Sequence, residues 1–285
     1  MINSTRYHLS AEISRQQKLA AQIARAQSDI SNETRIQRAS DDPAATARYA
    51  DIRRAQANED VWTKNIDVAS ALATRADSTL DGVTTTMDRV RELMTLATTG
   101  TYNDNDRKAF AVELRAMAAE IADLSQTKDS RGQLLFPAGP SLAVPIGNGV
   151  FVSPSVSSDG LFTNIQTAAG PKDLAQLIND AADAIELTDK AERELASAAS
   201  LDEVVLAVDN TAIVRGDQGV RAARLDTARE RFASSALLNS EEAGKLVGTD
   251  IPETVAKLQA KQLSLDAAQA VFTRINKQTL FDLLG

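Results

Sequence analysis

Cysteine is absent from the 285 residues, which excludes disulfides, zinc–thiolate sites and thiol catalysis. Aromatic side chains make up only 4%, and there are just 13 glycines and 7 prolines. So small a supply of sheet-forming and turn-forming residues argues against a β-sandwich or a compact α/β enzyme, and for long helices. Histidine occurs once, as His8, so no multi-histidine metal site is expected and no triad is indicated. Positive charge is in deficit, with a net charge of −8, which speaks against a nucleic-acid partner. No run of about 20 apolar residues occurs, so no membrane insertion is expected. The first residues also lack the apolar core of a signal peptide. Residues 1–40 carry six Arg/Lys against three Asp/Glu, and those acids, with the heptad spacing below, oppose a transit peptide. Neither a P-loop nor a dinucleotide-binding glycine pattern is found.

What the chain has is apolar residues at helical spacing. Ile2, Leu9, Gln16, Ile23 and Ile30 recur every seven residues, with Ile13, Ala20 and Gln27 read as a companion row. The last segment, 251–284, has the same texture. Ile251, Leu258, Leu265 and Phe272 form one row, and Val255, Gln262, Gln269 and Asn276 the other. Both seams mix large apolar residues with amides, which weaken a seam and set its register. Two readings stay open: the two ends pair within one chain, or they order when many copies pack together.

A stronger pattern fills residues 43–98. One row is Trp62, Ala69, Ala76, Val83, Val90 and Ala97; the other is Ile52, Glu59, Ile66, Ala73, Leu80, Met87 and Met94. Gly100 is expected to end that helix. Asp104 or Asp106 starts the next, with Phe110, Leu114, Met117, Ile121 and Leu124 on its seam, antiparallel to the first. Residues 131–166 are rich in glycine and proline, with nine of the twenty, and hold short β-favouring runs such as Val150-Phe151-Val152, implying one or two small hairpins. Pro171 is expected to open a helix bearing Leu174, Leu177, Ile178, Ala181 and Ile185. Helical texture follows over 190–247, with Val205, Val208 and Ala212 aligned. A register change is expected near "GDQG" (216–219), after which Leu225 and Phe232 take over.

Candidate chemistry is thin. Asp41-Asp42 and Glu241-Glu242 are adjacent carboxylates at expected helix starts, where capping explains them better than catalysis. Asp42 before Pro43 is the strongest start signal, since proline at the first helical position loses no needed N–H. Trp62 reads as packed. No catalytic residue, cofactor or metal is expected.

Four segments carry a resemblance. "RIQRASDDPAATA" (35–47) and "RVRELMTLATTGT" (89–101) resemble bacterial flagellins and flagellar hook-associated proteins. "TDIPETVAKLQ" (249–259) and "LSLDAAQAVFTRINKQTLFDLL" (263–284) are similar to the hook–filament junction members of that family. The likeness spans about 1–136 and 215–285. "RGQLLFPAG" follows the family's Gly-x-x-Leu-Phe-x-Gly pattern only loosely.

The resemblance implies a mainly α, elongated bundle. Residues 1–40 and 249–285 would form an inner coiled-coil domain and 41–248 an outer helical rod, with a small β insertion at 132–170. Ser40, Asp41, Asp42 and Pro43 would be the joint between them. Ile2, Leu9, Ile23, Ile30, Ile251, Leu258, Leu265 and Phe272 would pack between subunits. The implied role is a structural adaptor, not an enzyme, joining the flagellar hook to the filament. It would reach the cell exterior through the flagellar export apparatus without a cleaved signal peptide. Its partners would be flagellin, another hook-associated protein, further copies in a ring or helical layer, and an export chaperone. The alternatives are a filament-forming or minor flagellin and a cytoplasmic coiled-coil adaptor.

Overall fold

The structure is a computed structural model. It describes the backbone of residues 2–99 and 102–281 and the side chains of 10–99 and 102–274. Its elements run α1 (Ile2–Ser31), α2 (Pro43–Thr98), α3 (Asp104–Ser125), β1 (Val144–Gly147), β2 (Val150–Val152), β3 (Ile165–Thr167), β4 (Gly170–Lys172), α4 (Leu174–Glu186), α5 (Lys190–Val247) and α6 (Ile251–Phe281). The fold is mainly α with two separate antiparallel hairpins, β1–β2 and β3–β4. The chain forms two compact units, residues 1–57 with 235–285, and residues 58–234. Their limits fall within α2 and α5, whereas the turns at 32–42 and 248–250 lie inside the first unit.

In the second unit the strong heptad rows of α2 are the core. Leu80, Met87 and Met94 are fully buried against Leu114 and Ile121 of α3, Leu177 and Ile178 of α4, and Val204 and Ala207 of α5. Each large side chain removed from water contributes about 1.5–3 kcal/mol. Asn103 caps α3: its Oδ1 accepts from the Asp106 N–H while the Asp106 carboxylate accepts from the Asn103 N–H, a reciprocal capping box. Asp104 is the first helical residue, as expected. The insertion anchors through Phe136 and Phe162, whose rings meet edge-on at 5.4 Å. Asn148-Gly149 turns the first hairpin, and Gly149 takes φ +71°, a region that favours glycine. A second cluster joins Ile66, Ala69 and Ala73 of α2, Ile146 and Val152 of the hairpin, and Leu225 and Phe232 of α5. Trp62 packs there, 5.5 Å from the Phe232 ring.

Four expectations need correction. Pro171 lies in β4, and α4 begins at Leu174 after Asp173. The register of α5 does not change near 216–219. Ser197, Val204, Thr211, Gln218, Leu225 and Phe232 are all buried at unbroken intervals of seven, while Val205 and Ala212 are exposed. Three polar members hid that row. Gln218 is fully buried, and its Nε2 donates to the carbonyls of Pro154 at 2.8 Å and Ala73 at 3.3 Å. Glu241 and Glu242 lie inside α5 rather than at a helix start.

The fourth concerns the terminal helices, which pack on one another in the first unit. In α1 the shielded side chains include Glu12, Gln16, Leu19, Ile23, Ala26 and Ile30, whereas Ile13, Ala20 and Gln27 are exposed. In α6 they include Thr254, Leu258, Lys261, Leu265, Ala268 and Phe272, with Gln262 and Gln269 exposed. Val255 is shielded as expected, but at the other described places both companion rows lie one residue earlier than expected. Positions three and four residues on flank the same row at 3.6 residues per turn, so periodicity alone does not choose between them. Asn276 lies outside the described side chains.

Candidate assembly interface

Asp42 is the cap of α2. Its Oδ1 accepts from the Ala45 N–H at 3.0 Å, and Pro43 is the first helical residue. The Ala45 N–H and the Arg35 guanidinium, 3.1 Å away, hold its carboxyl below the usual range. Asp41 does something different. Its Oδ2 accepts from Arg25 Nη2 at 2.5 Å and from the N–H groups of Arg38 at 2.9 Å and Gln37 at 3.0 Å. Those donors, Arg25 foremost, lower its pKa to about 2. Arg25 in turn holds Asp29 at 3.0 Å and the Arg35 carbonyl at 3.0 Å. The loop thus folds back onto the end of α1 through Arg25 and through Gln37, whose Nε2 donates to Ser28 Oγ at 2.7 Å and Asp29 Oδ1 at 2.9 Å. Ser40 is exposed beside it.

The other turn, at 248–250, is tied to the first. Arg35 N–H donates to the Val247 carbonyl at 2.9 Å and Thr249 N–H to the Glu33 carbonyl at 3.1 Å. Thr34 Oγ1 adds a bond to Val247 at 3.0 Å. A Cβ on Gly248 would collide with the Gly244 carbonyl oxygen, so only glycine fits this approach. Asp250 caps α6, accepting from the Glu253 N–H at 3.1 Å. Arg48 grips Glu242 with two bonds, 2.6 and 2.9 Å. Asp42 is accordingly a cap, and Asp41 and Glu242 are ion-pair partners. Among the described residues no group of His, Cys, Asp or Glu is placed to hold a metal, and no helix is long and apolar enough to cross a membrane.

Of the seam residues, Ile23, Ile30, Leu258, Leu265 and Phe272 are half-buried and Ile251 is 40% exposed. The side chains of Ile2, Leu9 and His8 lie outside the described residues, as do Gly100 and residues 282–285. Gln16 sits in the α1 seam with its Nε2 shielded and without an acceptor among the described residues, an arrangement that is unfavourable. The terminal seam keeps apolar surface that pairing within the chain does not cover.

Residues 3–139 match the family model for the bacterial flagellin N-terminal helical region. Over 89% of this chain and 90% of the relative, the sequence is 23% identical to Flagellar hook-associated protein 3 of Escherichia coli strain K12. In sequence the chain resembles the flagellin family. The flagellar junction protein FlgL of Legionella pneumophila shares the fold with a TM-score of 0.60 at 13% identity, over 70% of this chain and 100% of that one. FlgL of Xanthomonas campestris gives 0.60 at 15% identity, over 68% and 99%. Members of this family are structural parts of the flagellum. The Asp-Pro start of α2 carried part of the resemblance. Arg25, Arg48, Thr34 and Gly248 gave no sequence signal, because their partners are distant along the chain or are backbone atoms.

Proposed function

We propose that this chain is the structural adaptor at the boundary between flagellar hook and filament, and that it performs no chemistry. The observation that carries the reading is the extent of likeness. Hook-associated protein 3 of E. coli is matched over 89% of the chain, whereas the flagellin of Listeria monocytogenes is matched over 37%. The half-covered terminal seam supports it too, since a chain that works alone has no use for such a surface.

In this reading residues 1–40 and 249–285 form the inner layer of the assembly and 41–248 the outer part. Ile2, Leu9, Ile23, Ile30, Ile251, Leu258, Leu265 and Phe272 pack against neighbouring subunits. Ser40 to Pro43 act as the joint. The neighbours are flagellin on one side, another hook-associated protein on the other, and further copies in a ring or helical layer. The chain leaves the cell through the flagellar export apparatus, escorted by a chaperone.

Immunogold labelling of isolated flagella tests the reading. A band at the hook–filament boundary is expected, and deletion of the chain should leave bare hooks with flagellin in the medium. Labelling along the whole filament would favour a minor flagellin. Absence from sheared flagella would favour a cytoplasmic adaptor.

A further inference from the structure

The helix α5 has two apolar faces. Its buried row, Val204, Thr211, Gln218 and Leu225, faces the core. Two residues on from the first three of these lie Leu206, Ile213 and Val220, which are 45%, 71% and 59% exposed. Two residues are about 200° around a helix, so this second stripe is turned away from the chain's own core. A helix apolar on both sides is expected to be covered on both. Gly216 borders the stripe, and a Cβ there would meet nothing in the chain. Its smallness costs helix stability and serves no intrachain packing. Asp202 and Asp209 flank the stripe, exposed and without an ion-pair partner among the described residues.

The exposed face of α2 offers two bases, beside the exposed acids Asp60 and Asp67 at its edge. Val61 and Val68 are 56% and 43% exposed, and Lys64 and Arg75 stand among them, exposed and likewise unpaired. Within one chain α2 and α5 run antiparallel, as the pairs Asp67–Arg229 and Asp81–Arg215 show. Copies pointing the same way therefore offer α5 of one to α2 of the next in antiparallel sense. With Leu206 against Val68, Ile213 falls against Val61, Asp209 beside Lys64 and Asp202 beside Arg75. The two acids are seven residues apart and the two bases eleven, a difference of about 6 Å at 1.5 Å per residue. Lysine and arginine side chains span that difference. Two α5 stripes facing each other would instead oppose aspartate to aspartate, which disfavours a two-fold contact.

We propose that the Leu206–Ile213 part of this stripe in one copy docks on the Val61–Val68 face of a second copy, a head-to-tail contact able to propagate around a ring. The contact deepens the junction reading, because the common direction of the copies rests on it. Since the chain has no cysteine, introduced thiols report without background. In flagella carrying the Ile213→Cys/Val61→Cys double variant, a short bis-maleimide should give a ladder of linked copies, and each single variant should give none. Asp209→Lys should lower incorporation at least tenfold with an unchanged melting midpoint, and adding Lys64→Asp should restore it to within threefold. Linking by Ile213→Cys alone, no ladder in incorporated chains, or failure of the charge exchange to compensate would overturn the contact. A ladder from copies spread along the filament would sink the junction reading and leave the contact standing.

Discussion

Gln218→Glu exchanges one atom in the middle of the second unit and should make its stability depend on pH. The wild-type amide is fully buried and donates to the carbonyls of Pro154 and Ala73, while its Oε1 accepts no hydrogen bond from the protein. A carboxylate in its place turns two attractions into repulsions in a site without water contact. Burial and the two carbonyls both favour the neutral acid, so the folded pKa rises. A carboxyl of raised folded pKa leaves stability intact below its unfolded value, about 4.3, and loses it as pH climbs. If the acid stays protonated in the folded chain at pH 7, the loss there is about 3.7 kcal/mol, from about 1.36 kcal/mol per pH unit over roughly 2.7 units. Below pH 4.3 the neutral acid still donates one bond, leaving a residual cost of about 1 kcal/mol.

Trp62 is the sole tryptophan and packs on Phe232 in the same unit, so its fluorescence follows this unit's unfolding in urea. The difference between parent and variant should widen by about 1.4 kcal/mol per pH unit from 4.5 to 7. Gln218→Met keeps the volume without a titratable group, and its difference from the parent should be flat. A flat difference for the glutamate as well would mean that the side chain reaches water, and would refute the buried-amide argument.

Other expectations follow from the joint and the seam. Asp42→Ala removes the bond to the Ala45 N–H and should cost about 0.5–2 kcal/mol, visible as faster hydrogen exchange at Ala45; unchanged exchange would refute the cap. Asp41, with its pKa lowered to about 2, contributes stability that is complete above about pH 4 and is lost as pH falls toward 2. A carboxyl resonance titrating near the ordinary value would show that Arg25 does not hold it. Phe272→Asp strikes a half-buried seam position, so the isolated chain should melt only slightly earlier, while junction occupancy on isolated hooks should fall to background. A strongly destabilised chain with normal filaments would show that Phe272 serves the chain's own pairing alone.

The sequence revealed the helices of this fold better than their packing. The α2 core was legible because Ile66, Ala73, Leu80, Met87 and Met94 are all apolar and evenly spaced. The α5 row was not, because Ser197, Thr211 and Gln218 occupy three of its six places. The terminal seams were half legible. Their main rows stood out, but Glu12 and Lys261 fill companion places where hydropathy pointed to Ile13 and, in α6, to amides. At the joint the cap was visible as Asp-Pro, whereas the grip of Arg25 on Asp41 and of Arg48 on Glu242 depends on folding.

Each misread seam involved a polar residue at a packed position, and the two units meet that cost differently. In the second unit Thr211 and Gln218 find backbone carbonyls, so the polar groups are satisfied and the core is closed. In the first unit Glu12 keeps contact with water and pairs with Arg15 across one turn at 3.3 Å, while the Gln16 amide finds no acceptor among the described residues. Burying an unpaired polar group is unfavourable, so a seam of this kind gains little from closing within one chain. It gains more where neighbours supply the missing acceptors and cover the apolar remainder. On this argument the half-made seam of α1 and α6 is a property suited to assembly, and the closed core of the second unit is what holds the outward faces of α2 and α5 in place for it.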